Sequence, residues 1–129
     1  LRLECSRIME KQGAEEPTGK AKITKAYNLP CRYVLHTVGP IIYGKVTGKD
    51  CDLLSDCYRS CLELAAAKQL KSIAFCCIST GEFHFPNEIA AEIAIQTVQD
   101  YQRNKPNGME VVFNVFKNSD YQIYKQLLG

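Results

Sequence analysis

One stretch narrows what this chain can fold into more than any other. Ser72 to Ile78 is a near-continuous apolar run of strand length, set between two segments of helical periodicity. A strand this apolar fits a central position in a parallel sheet, buried on both faces. Before it, Asp50 is placed to cap a helix running to about Gln69, with Leu53, Leu54, Cys57, Cys61, Leu62 and Ala65 at helical spacing. After it, the loop Ser79 to Pro86 leads into a second helix opened by Pro86 or Asn87. The inner face of that helix carries Ile89, Ala90, Ile93, Ala94 and Val98, and Asn104 to Gly108 ends it.

The alternation continues to both ends. Leu1 to Met9 mixes Arg2, Glu4 and Arg7 with apolar positions, an amphipathic helix with no capping residue before it. The chain is therefore expected to begin inside an element, as a fragment. Gly13 to Gly19 is a polar loop, and Ala21 to Tyr27 alternates weakly as a short strand near an edge. After a turn at Asn28 to Pro30, Arg32 to Val38 is a β-branched and aromatic strand stopped by Gly39-Pro40. Ile41 to Lys49 is a loop, Met109 to Phe116 the last strand, and Ser119 to Leu128 a short closing helix. Strands separated by helices imply right-handed crossovers. The expected architecture is α/β, a three-layer α/β/α sandwich with a mainly parallel mixed sheet, in one domain over residues 1–129.

Composition removes some function classes. The net charge of +2 supplies no basic stripe for nucleic acid, while a pocket for a small anion stays compatible with it. No apolar run approaches the roughly 20 residues of a membrane span. The seven cysteines are odd in number and form no Cys-x-x-Cys pair. Cys76 and Cys77, neighbours on a strand, are expected to face opposite sides. Buried thiols in a reducing cytoplasm fit this pattern better than a disulfide framework. Cys57 and Cys61, at i and i+4, either share a metal or belong to the core stripe of Leu54, Tyr58 and Leu62.

Ligands of open α/β sheets sit beyond the carboxyl ends of the strands, so the informative positions follow Val38, Ile78 and Val115. After the apolar strand comes Ser79-Thr80-Gly81-Glu82-Phe83-His84-Phe85-Pro86. Gly81 permits unusual backbone conformations, Ser79 and Thr80 bring hydroxyls, and a helix start follows. These features suit a nest for a diphosphate or a plain strand-to-helix connection. The segment lacks the Gly-Lys-Ser/Thr ending of a P-loop and the Gly-x-Gly of a dinucleotide fingerprint. Gly39 either lets backbone pass close to a ligand or makes a simple turn. Phe116, at the end of the last strand, suits stacking on a base or covering the core rim, and Asn114 precedes it. His36 reads as a satisfied strand histidine. His84 has no evident nucleophile partner. Glu82 is the one carboxylate of the candidate loop, a general base or a solvated side chain.

Taken in order, Ile23-Thr24 to Leu29-Pro30, Tyr33 to Pro40, Cys57 to Leu62, Ser72 to Pro86 and Val112 to Tyr124 resemble the macrodomain family. The wording of Phe75 to Pro86 and Phe113 to Lys117 is similar to its zinc-containing bacterial branch, which removes ADP-ribose from modified proteins. The resemblance implies that Ser79, Thr80, Gly81, Glu82 and Phe83 wrap the diphosphate and distal ribose, with Phe83 flanking that ribose. It implies that Phe116 lies against the adenine and that Val38, Gly39 and Pro40 line the floor. Asn114, read from its place in the last strand, either reaches the site or satisfies a core contact. A member of that branch also carries an Asn-Ala-Ala-Asn strand and a Cys, His, Cys zinc loop ahead of the helix that here begins at Leu1. This sequence contains neither. The resemblance therefore places zinc and the catalytic asparagine before Leu1, in a macrodomain lacking its first strands. It implies hydrolysis of ADP-ribosyl links, the alternatives being a non-catalytic ADP-ribose-binding module or an inactive fragment.

Overall fold

The computed structural model describes residues 18–25, 31–104, 108–115 and 117–129. The helix expected at Leu1 to Met9, the turn at Asn28 to Pro30 and Phe116 lie outside the described residues. In chain order the elements are strands β1 (Ala21–Lys25) and β2 (Tyr33–Thr37), helix α1 (Gly48–Ala67), strand β3 (Ser72–Phe75), a 3₁₀ turn (Gly81–Phe83), helix α2 (Asn87–Asn104), strand β4 (Glu110–Phe113) and helix α3 (Asn118–Leu128). The fold is α/β, with helices connecting the strands as the alternation requires.

Among the described residues the strands form two pairs, not one ladder. β1 pairs antiparallel with β2, Ala21 opposite Thr37 and Lys25 opposite Tyr33. β3 pairs parallel with β4, Ser72 opposite Glu110 and Phe75 opposite Phe113. Among the described residues one pairing is antiparallel and one parallel, in two separate two-stranded sheets, where a mainly parallel mixed sheet was expected.

The apolar run does not give a strand buried on both faces. β3 stops at Phe75, and within it Ile73 and Phe75 are buried while Ser72 and Ala74 are exposed. On β4, Val112 is likewise 45% exposed. Ile73 and Phe75 share one core with Leu54, Cys57, Tyr58, Cys61, Leu62 and Ala65 of α1 and with Ala90, Ala94 and Val98 of α2. Phe113, the parallel partner of Phe75, stacks toward Tyr124 of α3 at 5.2 Å between ring centroids. On the β3–β4 pair, the described helices pack on the face that carries Ile73, Phe75 and Phe113.

Two sequence expectations are corrected in the helices. Thr47, not Asp50, caps α1. Its hydroxyl accepts from the Asp50 N–H at 3.2 Å, and Asp50 Oδ2 accepts from the Thr47 N–H at 3.0 Å. Asp50 is the third helical residue of a capping box, and a hydroxyl one turn earlier competes for the same orphan N–H. Thr47→Ala is expected to cost about 1 kcal/mol of stability, read by urea denaturation. On α2, Ile89 is 40% exposed and the buried face runs through Ala90, Ala91, Ala94, Ile95 and Val98. Cys57 and Cys61 belong to the core stripe, 0% and 3% exposed.

Candidate functional site

The chain leaves β3 at Phe75 and β4 at Phe113 side by side, and the Asn114 N–H donates to the Phe75 carbonyl at 2.7 Å. Beyond these carboxyl ends lies a cleft of about 520 Å³, bordered by Thr80, Gly81, His84, Asn87, Asn114 and Lys117. This lies within the size range of small-ligand sites. Its position is the one the strand order predicts.

The segment from Ser79 to His84 departs sharply from ordinary backbone. Ser79, Gly81 and His84 all have left-handed φ values, 65°, 76° and 64°. Gly81 adopts this region freely, whereas Ser79 and His84 do so at a cost. The bend is held by the Phe85 N–H on the Ser79 carbonyl at 3.0 Å and the His84 N–H on the Gly81 carbonyl at 3.0 Å. Thr80 Oγ1 adds a bond to the Cys77 carbonyl at 3.0 Å. Phe85, 1% exposed, pins the far end into the core. Strain of this kind persists only where surrounding structure over-determines it, and it concentrates at ligand-holding sites.

Gly39 explains how the turn sits so low. A β-carbon at Gly39 would lie 1.9 Å from Ser79 Oγ and 2.8 Å from Ile78 Cγ2, so any other residue here requires the Ser79 and Ile78 side chains to shift. Ser79 is 8% exposed and its Oγ has no hydrogen-bond partner among the described residues. That hydroxyl therefore packs on Gly39. Gly39 and Pro40 are buried, a floor beneath the turn, and Val38 is 36% exposed at its edge. The Ile42 N–H, donating to the Phe83 carbonyl at 2.9 Å, ties the post-β2 loop to the turn.

Two helices begin at the cleft. The Ala90 N–H donates to the Pro86 carbonyl, so the first bond of α2 starts there, and α3 starts after Lys117. Both N-terminal dipole ends favour an anion, as do the orphan N–H groups that open a 3₁₀ turn. Lys117 adds a full positive charge to the cleft wall. Asp120, 6% exposed, accepts a hydrogen bond from Asn87 Nδ2, which links the starts of α2 and α3.

Of the residues expected here, Thr80, Gly81 and Asn114 border the cleft, and the backbone of Glu82 and Phe83 forms the adjoining turn. Ser79 belongs to that turn and packs on Gly39, Val38 and Pro40 flank Gly39 in sequence, and Phe116 lies outside the described residues. His36 bonds Thr24 Oγ1 at 2.9 Å across the β1–β2 pair, a structural position. Sequence reasoning missed Asn87, Lys117 and Asp120. Their signal was present, since the starts of two helices converge wherever two parallel strands end together. Cys76 and Cys77 do not face opposite sides of a strand: the strand has ended, and both border the same cleft.

The thiols divide by environment. Burial pushes Cys61 up to about 12 from 9.0, with smaller contributions from Cys57 and Cys76. Burial also raises Cys77, followed by the nearby Asp120 charge. The protonated form of Cys61 is thus favoured by folding. Its contribution to stability is complete below about pH 9 and is lost as pH rises from there toward 12. Maleimide labelling of the native chain at pH 8 is expected to mark the exposed Cys31 and Cys76 and to reach Cys57 and Cys61 only after denaturation, as peptide mapping will show.

The Macro domain family matches this chain over residues 1–94. The chain belongs to the Macro domain family. A protein-ADP-ribose hydrolase of Treponema medium is 59% identical to this macrodomain over 129 residues, all of this chain and 49% of that protein. The macrodomain thus spans about half the length of the curated relatives it matches. An Oceanobacillus iheyensis macrodomain with ADP superposes with a TM-score of 0.89 at 39% identity, covering 98% of this chain and 67% of that one. A Trypanosoma brucei macrodomain in complex with ADP-ribose superposes with a TM-score of 0.80 at 38% identity, covering 88% of this chain and 47% of that one.

Proposed function

We propose that this macrodomain binds ADP-ribose in the cleft beyond β3 and β4 and hydrolyses ADP-ribosyl links on modified proteins. The observation that carries the reading is the Ser79 to His84 turn, bent through three left-handed residues onto Gly39 between the starts of two helices. Relatives named as hydrolases and solved macrodomains holding ADP or ADP-ribose support the same chemistry.

The chain's own residues bind and orient. N–H groups of the Thr80–Phe83 segment and the dipole ends of α2 and α3 take the diphosphate, and Lys117 offsets its charge. Gly81, with no heavy atom within 4 Å of where its β-carbon would stand, leaves room for close approach. Asn114 offers an amide to a ribose hydroxyl. Phe116 is assigned to the adenine and Phe83 to the distal ribose. Fixing the sugar and phosphates presents the ribosyl carbon to water in one orientation. Zinc assistance is proposed with this activity, the metal supplying Lewis-acid chemistry when bound. Among the described residues no group of three or more histidine, cysteine or acidic side chains fits a metal, and the steps assigned to these residues are binding and positioning. No described helix is long and apolar enough to cross a membrane, and a cytoplasmic site of action is proposed with the function.

The test is release of ADP-ribose from a modified protein, followed by chromatography, beside calorimetric titration with free ADP-ribose. Binding with release supports the hydrolase. Binding without release by the full-length protein makes it a reader. Absence of binding contradicts the assignment of the cleft.

A further inference from the structure

An ADP-ribosyl group delivered on a protein brings a polypeptide to the mouth of the cleft. The loop after β2 is tied to the turn beside the cleft through the Ile42 N–H on the Phe83 carbonyl, and none of its residues borders the cleft itself. Ile42 is 5% exposed and set in the core, while its neighbours Ile41 and Tyr43 are 42% and 85% exposed, with Val38 at 36% beside them. Scattered apolar residues are normal on a surface, but three within six positions of one loop make a patch. The patch is anchored to the ligand turn, by the Ile42 bond to Phe83 and by the seat of Gly39 on Ser79. Within the loop the charge is one-sided. Lys45 and Lys49 are exposed, and no acidic residue occurs from Thr37 to Lys49. The next acid, Asp50, is engaged in the Thr47 capping box.

We propose that Tyr43, with Ile41 and the lysines 45 and 49, docks an acidic segment of the polypeptide that carries the ADP-ribosyl group. The proposal rests on the cleft being the ADP-ribose site. A rigid aromatic side chain flanked by cations is the combination that anchors such segments, with the tyrosine supplying contact and the lysines partner preference. The lip would select the modified protein, and the turn would hold the nucleotide.

The probes are an ADP-ribosylated acidic peptide, an ADP-ribosylated lysine-rich peptide of equal length, and free ADP-ribose, titrated into the chain and into Tyr43→Ala and Lys45→Glu/Lys49→Glu variants. The acidic conjugate is expected to bind about tenfold more tightly than free ADP-ribose, with the advantage falling as salt rises. Tyr43→Ala is expected to remove most of that advantage while leaving the affinity for free ADP-ribose unchanged. The charge reversals should shift preference to the lysine-rich conjugate. Equal affinity for both conjugates, or an unchanged acidic conjugate affinity in both variants, overturns the docking surface. Loss of binding to every probe, free ADP-ribose included, overturns the cleft assignment instead.

Discussion

Gly39→Ala is expected to destabilise the chain by about 1–3 kcal/mol and to weaken ADP-ribose binding at least tenfold. The added β-carbon would stand 1.9 Å from Ser79 Oγ and 2.8 Å from Ile78 Cγ2, far inside van der Waals contact. Turning the Ser79 hydroxyl aside still leaves Ile78 Cγ2 at 2.8 Å and Ser79 Cβ at 3.2 Å, and the Ser79 backbone is held in place. Its carbonyl holds the Phe85 N–H, and Phe85 is 1% exposed in the core. The methyl group therefore lifts the turn that the ligand needs. Urea denaturation reads the first effect and calorimetry the second. The double variant Gly39→Ala/Ser79→Gly is expected to recover part of the stability, because Oγ and Cβ of Ser79 are two of the three nearest atoms. Equal losses in the single and double variants would contradict the contact.

Ser79→Gly alone is expected to act in the opposite direction on stability. Ser79 holds a φ of 65° and a buried hydroxyl without a partner. Relieving the φ and removing the hydroxyl together gain more than the roughly 0.5–1 kcal/mol lost to added chain entropy, a net stabilisation of about 1 kcal/mol. The same change frees the turn, so ADP-ribose affinity is expected to fall several-fold. A variant both less stable and equally tight would show that the strained serine serves the fold and not the ligand.

The α/β alternation and the place of the cleft were legible because both follow from hydrophobic period and strand direction. The apolar run at Ser72 to Ile78 misled about its length and faces. Ile78 and Ser79 belong to the bend, which is set by contacts with Gly39 and Phe85 far away in sequence. Nothing in a serine announces a left-handed φ, yet Ser79 adopts one as Gly81 does. The cap of α1 was misplaced by one turn because Thr47 and Asp50 both carry suitable oxygens, and only geometry shows which one accepts first. Asn87, Lys117 and Asp120 escaped because their meeting depends on β3 and β4 lying side by side. Family resemblance supplied the ligand class, which no period or spacing in these residues specifies.

The most direct measurement of the central claim is the change in backbone amide NMR shifts when ADP-ribose is added to the isotope-labelled chain. The largest changes are expected at Thr80, Gly81, Glu82, Phe83 and Asn114, with smaller ones at Asn87 and Lys117. Changes confined to the opposite groove between α1 and α2, around Ser55 and Gln96, or no saturable change at all, would contradict the assignment of the Ser79 to His84 turn as the ligand site.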